Sequence, residues 1–273
     1  MFIQSLRNIL LTAVAALGIG FLPSAKASID YTDIWWAAGG AESGWGVNMA
    51  QSGDFIFATF FVYGPTGTPT WYTAQLSRTT GETFTGSVFV VSGTWFGAPM
   101  FPPVPPSSVV PVGNATFTAS NTYTGTLSYS VNGVNVNKNI ERQTTLGQAL
   151  VQATYIGGMT RTYTGTCPTG VPTSLVNTVQ LAIQPVQNTN NTVQFGFFGA
   201  DSTNQQLFCA MQGNVVQHGK VLAAPGSLYQ CANGINATAE IDSIRLLDNA
   251  IEMHWHSSVT STCLETGRLS GAK

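Results

Sequence analysis

Short alternating segments separated by tight turns recur along the chain from residue 31 onwards, and this rhythm restricts the fold more than any other feature. Thr122–Val131 and Val134–Gln143 are separated by Asn132-Gly133, and Ser52-Gly53 separates another such pair. Asn-Gly and Ser-Gly favour two-residue hairpin turns, because these residues tolerate positive φ. We therefore predict consecutive antiparallel strands joined by hairpins.

The first half of the chain contains eight of these segments. They are Tyr31–Trp36, Gly44–Gln51, Asp54–Tyr63, Thr70–Leu76, Thr83–Val91, Ala115–Ala119, Thr122–Val131 and Val134–Gln143. Eight sequential hairpin-linked strands can close on themselves and so remove their exposed edges. The prediction is an up-and-down barrel or a strongly curled sandwich. Because Phe55–Tyr63 is apolar on both faces, we expect its outer face to be covered, with the second domain as one candidate.

The second half repeats the pattern, again with eight segments. They are Arg161–Cys167, Ser174–Gln184, Thr192–Ala200, Gln205–Gln212, Val215–Ala223, Thr238–Leu247, Ile251–Ser257 and Cys263–Leu269. The sequence thus predicts an all-β protein made of two successive antiparallel meander domains, residues 28–145 and 159–273. Residues 146–158 form the junction, where a short helix is as compatible with the sequence as a strand.

The first 27 residues have the pattern of a secretory signal peptide. Arg7 precedes the apolar run Ile9–Leu22, and Ala25-Lys-Ala27 carries small residues at the cleavage positions. The alternative is an N-terminal membrane anchor, but the run is shorter than the roughly 20 residues needed to span a bilayer. We predict cleavage after Ala27, no membrane span, and a secreted or periplasmic location.

The charge of the predicted mature chain excludes one class of partner. Removing Arg7 and Lys26 leaves 8 basic and 12 acidic groups, a net charge of −4. A basic footprint for nucleic acid is therefore missing, and we expect no nucleic-acid partner.

Four cysteines, all in the second half, predict two disulfides in an exported chain. Closing an eight-strand meander makes the first and last strands neighbours, which brings Cys167 and Cys263 to the same rim. Cys209 and Cys231 then remain for each other. The alternative is a metal site, but the chain has no Cys-x-x-Cys or Cys/His spacing to support one.

One run of residues resembles a module that recurs in uncharacterised exported bacterial proteins. The resemblance comprises the turn Glu42-Ser-Gly-Trp-Gly46, an aromatic strand ending in Tyr63, and Gly67-Thr-Pro-Thr-Trp71. It extends over roughly Asp33–Gln143. The resemblance implies export and a β fold, and no particular chemistry.

Aromatic residues of the first domain, together with one methionine, are the predicted binding residues. The long segment Ser92–Gly113 contains six prolines, and a loop of this length is typically functional or disordered. The candidates are Trp95, Phe96, Met100 and Phe101 in this loop, together with Trp45 and Trp71. Two alternatives stay open: the tryptophans could fill a barrel interior, and the loop could be a flap over the apolar outer face.

A second group of residues has weaker functional potential. Glu252, His254 and His256 alternate on one face of a predicted strand and are candidate metal ligands; the alternative is that they only face solvent. We expect no cofactor, and no nucleophile-elbow motif is present. The sequence predicts a non-catalytic exported protein that binds a small molecule, a glycan or a protein. The alternatives are a secreted hydrolase and a structural component of a surface or matrix.

Overall fold

The computed structural model of the protein describes residues 29–40, 42–148, 150–169, 171–189, 191–200, 206–232 and 234–273. The predicted signal peptide, residues 1–27, lies outside the described residues. The described chain is all-β, with strands, two short 3-10 turns and no α-helix. The predicted fold class is confirmed.

The first eight strands form a closed antiparallel barrel, in which each strand pairs with the next and β1 pairs with β8. This closure selects the barrel over the curled sandwich. The strands are β1 (Asp33–Ala37), β2 (Gly46–Ser52), β3 (Phe55–Tyr63), β4 (Pro69–Arg78), β5 (Thr83–Val91), β6 (Val109–Ala119), β7 (Thr124–Val131) and β8 (Val134–Arg142).

Alternation along the strands fills the first barrel with large side chains. On β3, Ile56, Ala58 and Phe60 are buried, whereas Phe57 and Phe61 point outwards. Trp35 is completely buried, and its indole N–H donates to the Tyr31 carbonyl oxygen at 3.0 Å. Each fully buried aromatic side chain stabilises the fold by roughly 1.5–3 kcal/mol.

The second half forms another closed antiparallel barrel, in which β9 pairs with β17 and β12 pairs with β14. A ninth, short strand, β13, adds to the edge of β14. The strands are β9 (Ala153–Gly165), β10 (Ser174–Pro185), β11 (Thr192–Ala200), β12 (Gln206–Asn214), β13 (Val216–His218), β14 (Val221–Cys231), β15 (Asn236–Leu247), β16 (Ala250–Thr260) and β17 (Cys263–Ala272).

Three of the differences between the predicted and the observed strand boundaries change the description of the fold. The predicted strand Val215–Ala223 is two strands, because the chain turns at Gly219, whose φ of +59° ends β13. Strand β9 begins at Ala153, inside the predicted junction. The predicted loop Ser92–Gly113 ends at Ser108, because Val109 already pairs with Val91.

Both predicted disulfides are present in the second barrel: Cys167 is bonded to Cys263 and Cys209 to Cys231. Cys263 begins β17, next to Gly165 at the end of β9. Cys209 and Cys231 lie directly opposite each other on β12 and β14. Both disulfides therefore link strands whose pairing closes the barrel.

The second barrel has a partly polar interior. Glu265 is completely buried and accepts hydrogen bonds from the Trp255 indole at 3.0 Å and the Tyr229 hydroxyl at 3.1 Å. Arg161 is also buried, and one of its guanidinium nitrogens lies 3.5 Å from Asn177 Oδ1. Buried charged groups of this kind are stable only with hydrogen-bonding partners.

The two barrels meet where the first barrel's chain enters and leaves. Asp33 at the start of β1 and Arg142 at the end of β8 form a buried ion pair of 3.0 Å. From the second barrel, the backbone N–H of Lys220 donates to the same Asp33 carboxylate at 2.9 Å. The rings of Tyr123 and His218 stack with centroids 3.9 Å apart. We call this end of the first barrel the proximal end, and the opposite end the distal end.

Candidate functional site

The strand order gathers the predicted binding residues at the distal end of the first barrel. Because β1 starts at the proximal end, the connections that follow β1, β3, β5 and β7 all lie at the distal end. They include the segment with Trp45, the turn before Trp71, and the loop with Trp95 and Phe101. The turn Glu42–Gly46 and the segment Gly67–Trp71, which the sequence analysis singled out, therefore also lie at this end.

The loop Ser92–Ser108, which we call the aromatic loop, presents its apolar side chains to solvent. Its exposed fractions are 68% for Trp95, 86% for Phe96, 78% for Met100 and 64% for Phe101. The segment contains no charged residue and five prolines. The alternative that this loop is a flap packed over the apolar outer face of β3 is therefore wrong, because its large apolar side chains are exposed.

The Trp95 ring lies against the backbone of its own loop at Gly97. A Cβ at Gly97 would lie 2.4 Å from the Trp95 ring, so this ring position requires glycine. The Ala98 N–H donates to the Trp95 carbonyl oxygen at 2.9 Å, and the Trp95 and Phe96 ring centroids are 5.6 Å apart. Proline and these contacts reduce the conformational entropy that binding would otherwise cost.

A second set of outward-facing aromatic rings lies on β3 and β4. Phe61 and Trp71 are cross-strand neighbours, and Phe57 lies four residues before Phe61 on the same outward face of β3. Phe57, Phe61 and Trp71, which we call the aromatic wall, are 40–52% exposed. The expectation that the outer face of β3 would be covered is wrong, because the second barrel contacts the proximal end instead.

Trp45 differs from the other candidates because its indole ring already contacts other side chains of the first barrel. Its indole N–H donates to the Tyr129 hydroxyl at 3.0 Å, and its ring stacks on Tyr129. The Lys138 ammonium lies 5.1 Å from the indole centroid and also pairs with Glu42. Trp45 thus closes the distal mouth of the barrel, while Trp71 and the loop residues face solvent.

The candidate metal ligands of β16 pair with two different side chains, Glu252 with Arg245 and both histidines with Asp242. Glu252 lies 3.6 Å from an Arg245 guanidinium nitrogen, whereas His254 Nδ1 lies 2.6 Å from Asp242 Oδ1. His256 Nδ1 is 3.7 Å from the other oxygen of Asp242. Within the described parts of the chain, no group of three or more His, Cys, Asp or Glu side chains is arranged to hold a metal ion.

Asp242 is the site residue that the sequence analysis missed. It lies at a β-bulge in β15, between Ile241 and Ser243, which pair with Trp255 and His254 of β16. A bulge inserts an extra residue and redirects its side chain. The polar pattern of β16 gave no information about its partner on β15, so only the strand register could identify this carboxylate.

The two disulfides bear on the compartment in which the protein folds. Two disulfides are typical of an oxidising, extracytoplasmic compartment. No helix among the described residues has the length and apolar character to cross a membrane. No protein-family model, no curated protein and no solved structure matches this chain.

Proposed function

We propose that the protein is an exported, non-catalytic binding protein, and that it contacts its ligand through the distal end of the first barrel. The binding surface consists of the aromatic loop and the aromatic wall. The ligand class is a glycan, an apolar small molecule or a protein segment, each of which can pack against exposed rings.

One observation carries this proposal: large apolar side chains more than half exposed are concentrated in a single uncharged loop. Burying this surface against a partner would be favourable by about 25 cal/mol per Å² of apolar area removed from water. A contiguous exposed apolar patch of this kind is uncommon on monomeric proteins and marks interaction sites. The prolines of the loop support the same conclusion, because they lower the cost of ordering it.

The test is a binding titration of the mature chain, residues 28–273, followed by tryptophan fluorescence. The ligands are oligosaccharides, long-chain acyl detergents below micelle formation, and apolar peptides. Saturable binding is expected for one ligand class, and Trp95→Ala with Phe101→Ala should weaken it at least tenfold, since aromatic anchors dominate such surfaces.

A matched control replaces two exposed apolar residues of the second barrel, Val176 and Leu264, by alanine. This control should bind like the unmodified protein, because neither residue lies on the first barrel. Equal binding by the loop variant, or no saturable binding in any class, would contradict the proposal. Circular dichroism of both variants checks that the fold is retained.

A further inference from the structure

A cleft of about 270 Å³ lies between the two barrels, away from the aromatic loop and wall. Ile29 and Thr122 of the first barrel contribute to it, and Val221 and Ser270 of the second. Apolar side chains thus stand beside polar groups that converge from both barrels. Small-molecule sites have this composition and commonly occur where domains meet.

His254 lines this cleft with a defined orientation. Its Nδ1 lies 2.6 Å from the Asp242 carboxylate. An ionised carboxylate only accepts hydrogen bonds, so Nδ1 carries the proton and Nε2 of the neutral ring is an acceptor. The hydroxyl of Thr122, from the first barrel, donates to the backbone oxygen of Asp242 and so holds this strand from the other side.

Cationic groups lie beside this imidazole. Arg245 and Arg268 both line the cleft, and Arg245 forms ion pairs with Asp30 at 3.1 Å and Glu252 at 3.6 Å. The side chains of Asp30 and Glu252 are 35% and 50% exposed. Ion pairs with this much solvent contact contribute little to stability, so an incoming anion can replace one of them at low cost.

We propose that the interdomain cleft binds a small hydroxylated anion. Its carboxylate or phosphate group is held by Arg245 and Arg268, and its hydroxyl donates to His254 Nε2. Asp242 acts as a positioning residue, because it fixes the imidazole without contacting the ligand. Thr122 contributes to the same positioning, so the site is complete only when the barrels are docked.

Matched pairs of probes test both halves of this recognition. L-lactate is compared with propionate, and glycerol 3-phosphate with propyl phosphate, by calorimetry and by the ¹⁵N resonances of the histidine rings. The hydroxylated member of at least one pair should bind more tightly and shift the His254 Nε2 resonance. The pair that binds identifies the acidic group as carboxylate or phosphate. If no probe saturates, or if the hydroxyl makes no difference, the proposal is overturned.

Substitutions locate the site. Arg268→Gln and Arg245→Gln should each weaken binding about tenfold, because each removes a charge-assisted hydrogen bond. Lys138→Gln is the matched control, since Lys138 also pairs with a carboxylate but lies at the distal end, and it should leave affinity unchanged. His254→Phe should abolish the preference for the hydroxylated probe and retain binding of its analogue. Equal weakening by Lys138→Gln would show non-specific charge attraction and reject the site.

Discussion

Gly219 of the second barrel lies directly against the buried ion pair of the first barrel. Its φ is +59°, and an added Cβ would lie 2.4 Å from Asp33 Oδ2 and 2.8 Å from Arg142 Cβ. Neither neighbour can move freely, because Asp33 and Arg142 are buried and paired with each other. The turn between β13 and β14 therefore fits against the first barrel only if residue 219 has no side chain.

We expect Gly219→Ala to destabilise the protein more than Gly53→Ala does. Gly53 has almost the same φ, +58°, but has open space around its Cβ position. Gly53→Ala should cost only the left-handed backbone strain, about 1–2 kcal/mol. Gly219→Ala should cost about 1–3 kcal/mol more through overpacking. Equal losses in chemical denaturation would contradict this account of the interface.

At the level of the element, the disulfides distinguish the second barrel from the first. The Cys167–Cys263 bond joins residues 96 apart, and the Cys209–Cys231 bond joins residues 22 apart. In the chain-entropy model, the longer loop contributes about 4–5 kcal/mol and the shorter about 3 kcal/mol. Serine replacement of both cysteines of the longer bond should therefore destabilise the second barrel more than the same replacement of the shorter.

Hydrogen exchange resolved by peptide can measure this loss separately in each barrel. Protection in the first barrel, whose described residues include no cysteine, should change least in both variants. A larger loss from replacing Cys209 and Cys231 would contradict the entropic argument. Such a result would show instead that the pairing of β12 with β14 depends on its disulfide.

The strands that could be predicted are those whose ends are determined locally. Asn132-Gly133 has positive φ at both residues, 49° and 83°, as its turn type requires, and the flanking strands were predicted closely. Gly219 lies inside a run of strand-forming residues, so no local pattern indicated that its turn contacts the other barrel. Asp242 was missed for the same reason, because its contact with His254 depends on a bulge and on cross-strand register. Local patterns thus predict hairpins, whereas contacts between strands or barrels depend on the closed fold.

For the whole molecule, the stacked pair Tyr123 and His218 makes the association of the barrels sensitive to pH. Burial lowers the pKa of His218 below its ordinary value of 6.5, although Glu141 acts in the opposite direction. As the pH falls through 6.5, the unfolded chain binds a proton before the folded protein does. Stability is therefore lost with falling pH until the lowered pKa is reached.

His218→Phe keeps a ring for stacking and removes the titration. We expect this variant to lose less stability than the unmodified protein between pH 7 and the lowered pKa, as measured by urea denaturation over a pH series. Tyr123→Phe is the control, because it keeps a stacking ring and leaves His218 in place, so its unfolding free energy should depend on pH as that of the unmodified protein does. If the unfolding free energy of His218→Phe falls with pH as steeply as that of the unmodified protein, other groups determine the acid sensitivity.

The pairing of β1 with β8 also has an evolutionary consequence. Asp33 and Arg142 lie at the start and the end of the first barrel, and their ion pair brings the two points of chain connection together. A unit whose ends meet can be inserted into, or removed from, a longer polypeptide without separating its strands. The first barrel, Asp33–Arg142, is such a unit. We therefore expect that this barrel can be transferred between longer chains as one unit. Sequence variation should then be concentrated in its distal loops, with little variation at its paired ends.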